Sequence, residues 1–200
     1  MFWYEEEVKQ LESRLKTEAS AEQRVVFYGS SSIRRWDSLS PDFPGIQPLN
    51  LGFGGSTLAA CAWFFERLVV PSRPDALVLY AGDNDLGDER HPEEVYLLFC
   101  AMLALVRQHF PAIPFTYVSI KPSPARWHLT DRIRFTNQII AGKIAASPGC
   151  HYVDVFTRML NVHGYPQGDL FDADGLHLSR KGYRAWQQVL SDHREPIFGL

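Results

Sequence analysis

Apolar and polar positions follow two rhythms along this chain. Five short apolar runs, at residues 24–28, 46–51, 76–80, 115–120 and 151–155, have the length and the Val, Leu, Phe and Tyr content of strands. Ala76-Leu77-Val78-Leu79-Tyr80 has no polar break, as expected of a central parallel strand covered on both faces. Between the runs, apolar residues recur at helical spacing. Trp3, Val8, Leu11 and Leu15, set among charges, predict an N-terminal helix over residues 3–19 on the outside of the protein. Ile33, Trp36 and Leu39 predict a short helix closed by Pro41. Further helices are expected from Thr57 to Leu68 with Trp63 in the core, from Pro92 to about 109, over 130–146 and over 179–191. Strands alternating with helices in this way imply a parallel sheet between two helix layers. The chain reads as a single α/β domain over residues 1–200.

Composition narrows the classes that remain. Two hundred residues suit one domain, and a 46% hydrophobic fraction supplies its core. A net charge of -3 and a pI near 6.2 give no electrostatic reason to expect a nucleic-acid partner. No apolar run approaches the roughly 18–20 residues of a membrane span, so a soluble protein is expected. The N-terminal Met1-Phe2-Trp3-Tyr4-Glu5-Glu6-Glu7 lacks the basic flank and long apolar stretch of a secretory signal. Cys61, Cys100 and Cys150 are widely spaced among apolar residues and read as buried free thiols. Such thiols suit a reducing compartment, which makes a cytoplasmic location the expectation. The oligomeric state stays open, a homodimer included.

Candidate chemistry gathers where the strands end. In a parallel sheet all C-terminal strand ends share one edge, and ligands bind there. The first run stops at Gly29-Ser30-Ser31-Ser32, the second enters Gly52-Phe53-Gly54-Gly55, and the third ends in Gly82-Asp83-Asn84-Asp85. The segment after the fifth carries Asp172-Ala173-Asp174-Gly175-Leu176-His177. A serine at such a turn is either a helix cap or a nucleophile, and each member of the triplet qualifies. A nucleophilic serine needs a histidine base, itself oriented by a carboxylate. His177 and Asp174 supply both on one turn, with Asp172 as the competing acid. The Gly55 N–H, the Asn84 side-chain amide and the Ser31 N–H are candidate donors to an oxyanion. Asp85 reads as a structural acceptor. Arg126 and Trp127, in a loop after the fourth run, are candidates for the substrate side. No second histidine or cysteine lies at ligand spacing, so no metal site is expected. Gly52–Gly55 lacks the third glycine and the acidic partner of a dinucleotide loop.

Four blocks, in order, resemble the signature blocks of the SGNH (GDSL-type) hydrolases: Gly29-Ser30-Ser31, Asn50 through Thr57, Gly82-Asp83-Asn84-Asp85, and Asp174-Gly175-Leu176-His177. The resemblance covers residues 24–185. It implies a three-layer α/β/α, flavodoxin-like fold on a five-stranded parallel sheet, and ester hydrolysis without metal or cofactor. It also implies Ser31 as nucleophile, His177 as base, Asp174 as its partner, and Ser31, Gly55 and Asn84 as the oxyanion hole. Ser30 departs from the pattern, standing where the family usually has an aspartate. The run Gly-Ser-Ser-Ser-Ile followed by Trp36 is similar to small intracellular esterases related to the acetylhydrolases of platelet-activating factor. The expected activity is hydrolysis of small or short-chain acyl esters by a serine esterase. A thioesterase or lysophospholipase using the same site, and a non-catalytic binding subunit retaining the fold, are the alternatives.

Overall fold

The computed structural model describes residues 1–17 and 23–199. Strands β1 (Arg24–Gly29), β2 (Gln47–Gly52), β3 (Ala76–Tyr80), β4 (Phe115–Val118) and β5 (Cys150–Val153) form one parallel sheet in the order β2-β1-β3-β4-β5. The chain steps outward from β1 to β2 and then returns to the other side of β1 for β3. The switch point of the topology therefore lies between β1 and β3, where sheets of this kind open a crevice at their C-terminal edge.

The helices follow in chain order: α1 (Glu5–Thr17), α2 (Ser31–Arg34), α3 (Leu39–Asp42), α4 (Leu58–Ser72), α5 (Asp83–Gly87), α6 (Pro92–His109), α7 (Thr130–Ala145), α8 (Val155–Arg158), α9 (Arg180–Ser191) and α10 (Arg194–Phe198). The sheet divides two apolar layers. Val26, Tyr28, Leu77 and Leu79 enter the layer shared with α1, α4, α6 and α7. Val25, Phe27, Val78 and Tyr80 enter the opposite layer, with Trp36, Phe43, Trp186 and Phe198. This is the two-residue period of extended chain in strands buried on both faces. Aromatic rings set the second layer: Trp186 lies edge-on to Tyr80 with centroids 4.8 Å apart, and Trp36 to Trp186 at 6.0 Å. Each such pair adds about 0.5–1.5 kcal/mol beyond its buried area.

The strand and long-helix expectations hold, with boundaries shifted by a residue or two and β4 ending at Val118. Several details differ. Residues 18 and 19 of the predicted first helix lie outside the described residues, and its inward face carries Tyr4, Val8 and Leu11 while Trp3 is exposed. The segment after Ser31 forms two single turns rather than one helix, and Pro41 sits inside the second. A proline is tolerated in a first turn, where its missing N–H has no intrahelical partner to lose. Helix α4 continues past Leu68 to Ser72. Trp63 is 66% exposed, not in the core: Phe64 and Phe65 beside it take the inward positions. Cys61 is buried, but Cys100 and Cys150 are only partly so. Among the described residues, no helix is long and apolar enough to cross a membrane.

Candidate active site

β1 ends against β3 at very close range. The Gly29 backbone has φ of 135°, and a Cβ there would lie 1.9 Å from the Tyr80 carbonyl oxygen. Only glycine fits. The next amide, Ser30 N–H, donates to that same oxygen at 3.0 Å. The chain then turns into α2, placing Ser31 in its first turn, where the N–H has no intrahelical acceptor. Ser30 and Ser32 are buried, whereas Ser31 is partly exposed at the sheet edge. Of the three serines, Ser31 meets the histidine.

The loop before α9 shapes the other half of the site. Asp174 Oδ1 accepts the backbone N–H groups of Leu176 and His177, both at 2.9 Å. That local clamp is why an Asp-x-x-His spacing works: one carboxylate oxygen folds the turn and the other meets the ring. Asp174 Oδ2 lies 2.6 Å from His177 Nδ1, and His177 Nε2 lies 3.1 Å from Ser31 Oγ. The carboxylate draws the proton to Nδ1, which leaves Nε2 as an acceptor for the serine hydroxyl. The hydrogen bond from the His177 ring, followed by the two backbone N–H groups, holds the Asp174 carboxyl well below the usual carboxylate range. Asp172 turns elsewhere, to Arg35 Nη2 at 3.0 Å. Arg35 Nη1 also stands 3.9 Å from Asp174 Oδ2, so one guanidinium braces both acids. Helix α9 locks the two halves together where the Tyr183 hydroxyl donates to the Ser32 carbonyl at 3.0 Å.

The donor side is equally supported. Asn84 Nδ2 donates to the Ser56 carbonyl at 3.0 Å, which brings the amide to the Gly54–Gly55 loop and leaves it a second N–H. The N-terminal segment holds that loop from behind: Tyr4 Oη donates to the Gly55 carbonyl at 2.9 Å, and the Gly54 N–H donates to Glu7 at 2.7 Å. Gly55 has φ of 68°, and the space where a Cβ would lie is open. A cleft of about 540 Å³ borders Gly55, walled by Trp3, Tyr4, Thr57 and Arg90.

Asp85 is fully buried and accepts the Leu58 N–H at 2.9 Å, the structural role expected of it. Burial pushes its carboxyl up to about 6. Arg126 is engaged with the protein, with Nη1 2.6 Å from Asp83 Oδ1 and Nη2 donating to Asn84 Oδ1 at 3.1 Å. Trp127 rests against Tyr165, ring centroids 5.6 Å apart. Their segment is joined to the histidine loop by Ala125 N–H donating to the Gly175 carbonyl. Sequence reasoning missed Arg35, Tyr4, Glu7 and Lys121 as supports of the site. Only Lys121, a lysine directly after the apolar run 115–120, carried a local signal. Among the described residues, no group of three or more His, Cys, Asp or Glu side chains is placed to hold a metal ion.

This geometry can be set beside known proteins. The sequence model of the GDSL-like lipase/acylhydrolase family matches residues 17–185. A Streptococcus pneumonia protein provisionally described as a platelet activating factor superposes with a TM-score of 0.83 at 21% identity, over 96% of this chain and 94% of that one. A GDSL-like lipase from Bacteroides thetaiotaomicron gives 0.80 at 21% identity, over 94% and 97%. A carbohydrate esterase family 3 protein from Talaromyces cellulolyticus gives 0.70 at 17% identity, over 88% and 98%. Among curated proteins none matches. The structural likenesses agree on the three-layer α/β/α fold.

Proposed function

We propose that the chain, which belongs to the GDSL-like lipase/acylhydrolase family, is a serine esterase acting on small or short-chain acyl esters. The observation that carries this reading is the continuous line from Asp174 Oδ2 through His177 to Ser31 Oγ, with steps of 2.6 and 3.1 Å. Ser31 Oγ attacks the ester carbonyl carbon while His177 Nε2 takes its proton. The carbonyl oxygen becomes an oxyanion that accepts from the Ser31 and Gly55 N–H groups and from the Asn84 amide. Collapse breaks the bond to the leaving alkoxide, which receives the proton from His177. Water then attacks the acyl carbon by the same route, giving its proton to His177; collapse breaks the bond to Ser31 Oγ, which takes the proton back from His177 as the acid leaves.

No part of the chemistry calls for a metal or cofactor. The Ser31→Ala variant is expected to fold normally and to lose turnover of p-nitrophenyl acetate. Near-full activity in that variant would overturn the assignment.

A further inference from the structure

We propose that Arg126 is a positioning residue for Asn84: its guanidinium fixes which end of the Asn84 amide faces the reacting oxygen, and a buried Lys121–Asp83 pair holds the guanidinium in place. An asparagine amide has two ends of nearly the same shape and opposite chemistry. Its N–H end stabilises an oxyanion, and its oxygen would repel one. A guanidinium can only donate, so the contact from Arg126 Nη2 at 3.1 Å pins Oδ1 on the side away from the substrate. On the other side, Nδ2 donates to the Ser56 carbonyl at 3.0 Å. A flipped amide would set N–H against guanidinium and oxygen against carbonyl. Both ends therefore select one orientation.

The anchor is built deep in the protein. Lys121 Nζ lies 2.6 Å from Asp83 Oδ2 and donates to the Tyr80 hydroxyl at 3.1 Å. The side chains of Lys121 and Asp83 are only 2% and 5% exposed. Buried charges persist only when paired in good geometry. Burial alone would raise the Asp83 carboxyl, but Lys121 and Arg126 outweigh it and hold it below its ordinary value. Gly87 gives the guanidinium room, since a Cβ there would lie 2.8 Å from Arg126 Nη2. The cluster also sets two cations against one buried carboxylate, with Asp88 acting on Arg126 as well. The guanidinium reaches the reaction through Asn84 and not through the substrate.

The kinetic part of this proposal rests on the esterase reading; the orientation of the amide does not. Arg126→Lys keeps a cation for Asp83 but lacks the fork that also reaches Asn84. The variant is expected to lose about 10–100-fold in kcat with KM changed by less than about twofold, since the ground state is bound as before. In an Asn84→Ala background the same change is expected to cost less than about threefold, because the partner is already gone. Guanidinium salt added to Arg126→Ala is expected to restore part of the lost kcat. In ¹⁵N spectra the Asn84 side-chain N–H pair is expected to shift and broaden in Arg126→Lys. Wild-type kcat in Arg126→Lys, an equal loss in both backgrounds, or an unmoved Asn84 amide signal would each overturn the proposal. If the wild-type protein shows no Ser31-dependent turnover, the esterase reading falls, and the amide spectra alone decide whether Arg126 positions Asn84.

Discussion

His177 Nε2 stands 3.1 Å from Ser31 Oγ although 146 residues of chain separate the two. Nothing local arranges this. Ser31 follows β1, His177 follows β5 and α8, and the parallel order β2-β1-β3-β4-β5 brings both to one edge of the sheet. Tyr183 from α9 then ties the histidine's helix to the serine's turn. The 3.1 Å separation is within the reach the proposed base needs from the hydroxyl proton it would take.

The two neighbouring acids are expected to differ sharply. Asp174 orients the ring, and Asp172 is paired with Arg35. Asp174→Asn is expected to lower kcat by about 10³–10⁴-fold, because an amide at that place favours the wrong ring tautomer. Asp172→Asn is expected to cost less than about tenfold, as an exposed ion pair contributes little. Steady-state kinetics on the two variants makes the comparison.

The N-terminal segment is expected to affect rate as well as stability. Tyr4 and Glu7 hold the Gly55 carbonyl and the Gly54 N–H, and Gly55 is a proposed oxyanion donor. Tyr4→Phe combined with Glu7→Gln is expected to lower kcat by roughly 3–30-fold, less than the ~10²–10³-fold that follows loss of a whole donor. The helix itself is expected to remain, since Val8 and Leu11 stay buried. Circular dichroism checks the helix, and kcat checks the loop.

Asp85 gives stability a pH dependence of unusual sign. Its buried carboxyl is pushed up to about 6, above its value in an unfolded chain. Between pH ~4 and ~6 the unfolded chain therefore releases this proton while the folded protein keeps it, so rising pH favours unfolding. The contribution is on the order of 3 kcal/mol, fully present below the lower value and lost above the upper. Urea titrations of wild type and Asp85→Asn at several pH values isolate it. The gap in stability between the two is expected to move in favour of the variant as pH rises from 4 to 7, and a constant gap would refute the assignment.

Gly29→Ala is expected to cost at least ~3 kcal/mol, through a Cβ driven into the Tyr80 carbonyl and a φ of 135° that alanine avoids. Urea unfolding measures the loss. Esterase activity per folded molecule should fall too, because the same crossing aims Ser31.

What could be read from the residues was what is local. Unbroken apolar runs mark strands buried on both faces, and Asp174 is legible beside His177 because its own carboxylate folds the turn between them. Ser31, Gly55 and Asn84 are legible as strand-end residues once a parallel sheet is inferred. Partnerships across the fold are not. Asp83 and Lys121 lie 38 residues apart, and no periodicity joins them. Trp63 shows the other limit, since Trp63, Phe64 and Phe65 are equally apolar and only packing against Tyr4 and Phe53 decides that Phe64 turns inward. The outward tryptophan has no counterpart in the pattern.

The central claim is that Ser31 is an activated nucleophile, and a fluorophosphonate probe followed by mass spectrometry tests it most directly. The expected result is one modified residue, Ser31, with labelling abolished in Ser31→Ala and slowed strongly in His177→Ala. Folded protein that fails to label, or that labels equally well without His177, would contradict the account.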